Sequence, residues 1–448
     1  MRRNGPPALL VALAVAVPVI AAEAPRPAQI VNAGTVRKTG VISLEKTDRA
    51  YPAAGLWSET RTLPKETTVR AVRLIRPTLP RGCDLVTQVR CRKGAGPWSP
   101  WSPANILSNG DLAGAAPPGA RLEKGRPGAA IRRWASAAIP KGRVSVPCWS
   151  VPAPPGSDLT FAAAVSADRR ASGAGVGLRL TGASEKTALQ VHLTAPAGAN
   201  ARAWRRAAVG ISVPGWARRV HGLAVLEHAK EDVNRTARVR AANGALLFRG
   251  PPTAKQVLLR DTFAAPKRWK AWPGTQITWG RGEKASATLV LKDEGPAAGA
   301  VQTGTIRSPG RGWVALRATV STQDAMAGVG VMFCGADGRP TGEHISLRHR
   351  APDGTYRLWA IAPALTKAPR LRLLLQAAQT AGQGGSATFH EVELAACDPP
   401  PAFTKRPPPE RIPFPRPMRA EQLEIRSFLL SADPRVTPSF GGYVIETE

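Results

Sequence analysis

The stretch Ala174-Gly-Val-Gly-Leu-Arg-Leu180 returns as Ala327-Gly-Val-Gly-Val-Met-Phe333, and this repetition decides how the 448-residue chain is read. Leu159-Thr-Phe-Ala-Ala-Ala-Val165 precedes the first copy, and Trp313-Val-Ala-Leu-Arg-Ala-Thr-Val320 precedes the second. Leu189-Gln-Val-His192 and Ala203-Trp204 follow in one case, His344-Ile-Ser-Leu347 and Leu358-Trp359 in the other. Apolar residues alternating with period two mark these pieces as strands. Their shared order and spacing mark a duplicated unit. The first copy is bounded at 107–250 and the second at 251–398.

Outside the repeat, Thr68-Val-Arg-Ala-Val-Arg-Leu-Ile75 and Leu85-Val-Thr-Gln-Val-Arg-Cys-Arg92 read as strands that lead to Trp98-Ser-Pro-Trp101-Ser102. Arg90 and Arg92 share a face by the strand period, so either guanidinium can stack on Trp98 or Trp101. Near the other end, Leu423-Glu-Ile-Arg426, Phe428-Leu-Leu-Ser431 and Tyr443-Val-Ile445 supply matching strands. Segments 25–106 and 418–448 are read as two parts of one sandwich, with the Pro-rich 399–417 as the return linker from the second repeat to it. With 43 Gly, 43 Pro and little helical periodicity, the fold class is all-β: multi-domain β-sandwiches, two tandem jelly rolls plus one split sandwich.

The Trp-Ser-Pro-Trp-Ser segment and its closing strands resemble the fibronectin-like and discoidin-like sandwiches of exported bacterial proteins, and the Trp-Ser-x-Trp-Ser box of cytokine receptors. The repeated units, of which the first opens on Asn109-Gly110-Asp111-Leu112 and the second closes on Phe389-His-Glu-Val-Glu-Leu394, resemble the cenC-type carbohydrate-binding modules of bacterial glycanases. That resemblance implies a jelly roll, a glycan ligand and a structural Ca²⁺ near the first and last strands. Asp111, Asp261 and Glu391 are the oxygen donors at those places.

Met1-Arg2-Arg3, the apolar run from Ala8 to Ala22 and Ala22-Glu23-Ala24 have the form of a secretory signal peptide over 1–24. The run is shorter than the roughly 20 residues of a membrane span. The expectation is an extracellular, periplasmic or cell-surface protein. A formal charge of +31 suits acidic or sulfated polysaccharide, or extracellular nucleic acid bound without sequence specificity. It equally suits a solvated basic surface on an Arg-rich chain, because no Lys/Arg block is dense enough to act as a tail. Five cysteines leave at least one unpaired. Cys83 and Cys91, at opposite ends of one strand, lie too far apart to bridge.

A sugar ring presents an apolar C–H face rimmed by hydroxyls, so its platform needs a flat aromatic surface beside polar donors. Twelve Trp against three Tyr draw attention to Trp269, Trp272 and Trp279 with Arg268 beside them. A second patch gathers Trp204, Arg205, Arg206 and Trp216, where arginine forks fit carboxylate or sulfate. Both clusters have a bland alternative as core indoles and solvated strand-edge cations. Gly-x-Ser-x-Gly, His-Glu-x-x-His and phosphate-loop motifs are missing from the sequence. Asp293-Glu294 and Glu391 with Glu393 are carboxylate pairs of no distinctive spacing for glycoside hydrolysis. The expected role is non-catalytic carbohydrate binding or adhesion; the alternative is a structural component that binds envelope proteins.

Overall fold

The computed structural model describes most of residues 35–102 and 143–447, together with 121–124 and 133–139; the longer exceptions are 168–170, 183–187, 197–203, 229–236, 292–296, 380–383 and 402–409. The expected signal peptide lies outside the described residues. The described chain is almost wholly strand, as its alternating pattern requires. Among the described residues no helix is long and apolar enough to cross a membrane.

Both repeats are jelly rolls with one strand order. In the front sheet the first repeat runs Arg143–Pro152, Arg219–His228, Ala171–Thr181, Ala188–Pro196, and the second runs Ala297–Gln302, Arg370–Gln379, Ala325–Cys334, Pro340–Arg350. In the back sheet Ala237–Phe248, Asp158–Ala167 and Arg205–Ser212 of the first repeat match Gly385–Cys397, Trp313–Gln323 and Gly354–Pro363 of the second. The sheets do not stop at the repeat boundary. Gln190 to Thr194 pairs antiparallel with Arg350 to Ser346, and Ala208 to Ile211 pairs with Ile361 to Leu358. Corresponding strands therefore meet, as in an isologous dimer interface, but within one chain. Each repeat covers the open edge of the other, which removes two unpaired rows of backbone donors and acceptors.

One indole fixes the back-sheet junction. Trp359 is opposite Gly210 in register, is fully buried, and donates Nε1–H to Thr160 Oγ1 at 2.9 Å. A β-carbon on Gly210 would lie 2.0 Å from that Nε1, so only glycine admits the ring. Thr160 donates its own O–H to the Arg249 carbonyl at 2.7 Å. Arg317 donates to the Pro252 carbonyl, and Arg206 Nε donates to the Pro401 carbonyl at 2.6 Å. Leu159, Phe161, Val209, Val314 and Leu316 face the sandwich core, so Thr160, Arg206 and Arg317 face outward. Segments 249–252 and 398–401 are thus tied to the outer face of the back sheet. Ala162, Ala208, Ala315 and Ile361 form a second buried cluster there with Cys397.

The N- and C-terminal strands do join. Gln422–Ser431 lies between Ala54–Thr62 and Cys83–Arg92, while Thr68–Leu74 lies between Arg411–Arg419 and Tyr443–Thr447. Val69, Val72, Leu85, Val89, Leu423, Ile425 and Phe440 share its core. The expected cation–π stack is present: Arg90 is 4.9 Å from the Trp98 centroid and 4.4 Å from that of Trp101, and Arg92 is 4.7 Å from Trp98. Arg426 extends it, 4.0 Å from Trp101 and 5.1 Å from Phe428. Phe428 then stacks on Phe248 of the first jelly roll, centroids 3.7 Å apart. Burial and neighbouring Arg90 push Arg426 down to about 10, so it remains a cation at neutral pH. One correction concerns the return segment: from Arg411 it is a strand and no longer a spacer. It occupies a sheet edge with an irregular register between Pro413 and Met418, where missing proline N–H groups are tolerated.

Two expectations follow. Gly210→Ala drives a methyl into the Trp359 indole and should lower stability by about 2 kcal/mol or more; Gly215→Ala, into open space, should leave the denaturation midpoint nearly unchanged. The second concerns His349, which lies opposite Val191 at the front-sheet junction, 1% exposed. Burial lowers its pKa from 6.5 to about 4. A depressed folded pKa gives stability that is complete above 6.5 and lost as pH falls through 6.5 toward 4, roughly 3 kcal/mol in all. Denaturant melts across that window should show this loss in the parent chain and a shallower one in His349→Leu.

Candidate functional site

The Trp269 to Trp279 segment crosses from one sheet to the other at the outer edge of the second jelly roll. Trp269–Ala271 ends the front sheet and Gln276–Trp279 ends the back sheet. Between them Trp272-Pro-Gly-Thr275 closes with Thr275 N–H on the Trp272 carbonyl at 3.0 Å, and Gly274 has φ +76°. Proline followed by a glycine of positive φ is the type II turn. The turn clasps Gly299: Trp272 N–H donates to its carbonyl at 2.9 Å, and its own N–H donates to Thr275 Oγ1 at 3.1 Å.

The three predicted indoles take different roles. Trp269 is only 6% exposed; it donates Nε1–H to Asp261 Oδ2 at 3.0 Å and packs near Phe263. Its expected place on a ligand platform is corrected accordingly: it is a core residue. Trp279 is half-buried against the sandwich core at the back-sheet edge. Trp272 lies flat. A β-carbon on Gly299 would meet its Cδ2, Cε3 and Cε2 at 2.6, 2.6 and 2.7 Å, nearly equal distances that place the glycine beneath the ring plane. Ala298 and Ala300 face the core, so Gly299, and Trp272 above it, occupy the outer face of the front sheet.

A cross-strand row leads away from that ring. Gly299 is opposite Gln376, Gln376 opposite Gly328, Gly328 opposite Arg348, and Arg348 opposite His192 of the first jelly roll. Their strand neighbours Leu375, Ala377, Val329 and Leu347 are core residues, so the row faces outward. Gly328 is its floor: a β-carbon there would touch Arg348 Cγ at 3.2 Å and Gln376 Cβ at 3.5 Å. Arg348 is steadied by Nε–H donation to Ser346 Oγ at 2.9 Å. From Gly299 to Arg348 is three strand spacings, about 14 Å. Exposed Arg268 and Lys270 flank the aromatic end. The row offers an indole face, an amide and a guanidinium: apolar contact, neutral hydrogen bonding and anion recognition in sequence.

Gln376 and Arg348 were missed by sequence reasoning, although the repeated Ala-Gly-Val-Gly carried the signal. Alternate residues in a strand share a face, so its glycines had to lie on the side opposite Ala327 and Val329. Arg206 belongs to neither the row nor an open basic patch. It is half-buried, its pKa is lowered by burial, and it clamps Pro401. Trp216 is half-buried against the core. Trp204 and Arg205 are half-buried at the start of their strand, on the first jelly roll. Asp111 lies outside the described residues. Asp261 accepts from Phe263 N–H at 2.6 Å as well as from Trp269, and Glu391 pairs with Arg260 at 2.5 Å. Among the described residues no group of three His, Cys, Asp or Glu could hold a metal.

No family model and no curated protein matches the chain. Among solved structures, the enzymatically active domain of tailspike protein 4 from bacteriophage CBA120 is similar at 18% identity, over 30% of this chain and 20% of that one, with TM-score 0.25. The chain thus spans about a fifth of that domain's length. The tandem CBM22-1-CBM22-2 domain of Paenibacillus barcinonensis Xyn10C is similar at 12% identity over 75% of this chain and all of that one, TM-score 0.23. A carbohydrate-binding module of Cellvibrio mixtus lichenase 5A, solved with cellotriose, is similar at 13% identity over 31% and 97%, TM-score 0.20.

Proposed function

We propose that this is an exported, non-catalytic glycan-binding protein whose principal contact surface is the Trp272–Gln376–Arg348 row, with a preference for chains that carry carboxylate or sulfate. One observation carries the reading: Trp272 lies face-on over Gly299, which leaves its other face directed away from the sheet. Stacking a sugar ring there requires no rearrangement, because the Trp-Pro-Gly-Thr turn already holds the indole. Gln376 and Arg348 lie along the same row, within reach of successive sugar units, and Arg348 supplies the charge preference. The signal-peptide-like leader and the net charge of +31 agree with a role outside the cytoplasm on polyanionic material.

A glycan array read at two salt concentrations separates the possibilities. Trp272→Ala should weaken neutral and acidic glycans alike by about tenfold, equivalent to ~1.4 kcal/mol of stacking. Arg348→Gln should weaken acidic glycans selectively. Binding that ignores Trp272→Ala but collapses with salt would instead indicate nonspecific polyanion attraction. No glycan binding would favour an envelope component that engages proteins.

A further inference from the structure

The opposite side of the sandwich holds a second, differently built site. On the outer face of the back sheet a pocket of about 190 Å³ is lined by Arg260, Arg317, Arg357, Trp359, Glu391 and Glu393, with Pro251 of the inter-repeat segment at its wall. Arg317 is opposite both Glu393 and Trp359, and Arg260 is opposite Glu393, so these four form one row. Thr319 is opposite both Glu391 and Arg357, which form the next row.

Charge bookkeeping inside the pocket leaves a remainder. Arg260 pairs with Glu391 at 2.5 Å, and Arg317 pairs with Glu393 at 2.8 Å. Glu393 is 7% exposed, and Arg317 Nε is buried with no hydrogen-bond partner among the described residues. Arg357 is half-buried, and none of the described residues pairs with it. Three guanidiniums against two carboxylates leave one positive charge, centred on Arg357. Asp158, which accepts from Ser212 at 2.5 Å, is not among the lining residues.

We infer that this pocket binds the carboxylate of a single uronic acid unit, independently of the Trp272 face. A carboxylate satisfies Arg357. Ring hydroxyls both donate and accept, so they can donate to the Glu391 carboxylate, whose side chain is about one-third exposed. The volume falls below the roughly 300–1,000 Å³ of sites for drug-sized ligands, which matches a single ring. Simple inorganic anions can neutralise Arg357 but offer no hydroxyl to Glu391. Because Pro251 and Trp359 line the pocket, an occupied site also braces the junction between the jelly rolls.

Titration calorimetry on the whole chain tests this with galacturonate, galactose and sulfate as probes. Galacturonate should bind, with galactose and sulfate each weaker by about tenfold or more. Arg357→Gln should lower galacturonate affinity about tenfold or more, and Arg357→Lys less. Glu391→Gln removes a competing carboxylate and frees Arg260, so it should tighten binding. Galacturonate taken up at the glycan row should be lost with Trp272→Ala while the Arg357-dependent event persists, which separates the two sites. The inference is overturned if galacturonate does not bind, if sulfate binds as well, or if Arg357→Gln and Glu391→Gln move affinity in the same direction.

Discussion

Everything in this molecule is referred to the pairing of equivalent strands across the repeat boundary, with Trp359 laid over Gly210. An antiparallel strand pair can be self-complementary, so a duplicated domain can join its own copy edge to edge using the surface it already has. The hydrogen bonds of that seam are ordinary ladder bonds. Its specificity comes from shape: a position without a side chain, a buried indole that fills the space, and a threonine that receives the indole N–H and relays a bond to the segment connecting the repeats. A jelly roll alone would expose two sheet edges to aggregation; here each edge is consumed by its counterpart.

The seam also determines where ligands can be met. By extending both sheets it turns two small sandwiches into one broad slab with an outward front and an outward back. The front carries the row from Trp272 to Arg348, and beyond it His192 of the first repeat is buried. The back carries the arginine and glutamate rows beside the connecting segment. The third sandwich is docked through Arg426, Phe428 and Phe248, so its cation–π stack ends on the first jelly roll.

Much of the fold was legible in the sequence, for a physical reason. Period-two alternation in Leu159 to Val165 and Trp313 to Val320, and the duplicated Ala-Gly-Val-Gly, express the one constraint that a sandwich strand cannot escape: one face must be apolar. The Arg90 and Trp98 partnership was likewise readable, because strand period and residue chemistry both pointed to it. Trp269 was misleading because composition reports how many indoles there are and says nothing of which way each points; only the Asp261 bond reveals that it faces inward. The Pro-rich return misled in the opposite sense, since proline excludes a central strand while permitting an edge. Gln376, Arg348 and the back pocket were hidden because each is assembled from strands far apart in sequence, and register across a sheet is a property of the fold.

The central claim, that the two jelly rolls form one continuous structure, is tested most directly by native-state hydrogen exchange at the seam. Amides of residues 190–194, 208–211, 346–350 and 358–361 should be protected and should open together, with the protection of the central strands of both repeats. Fast exchange in those segments, with each repeat opening on its own, would show two free edges and contradict the account.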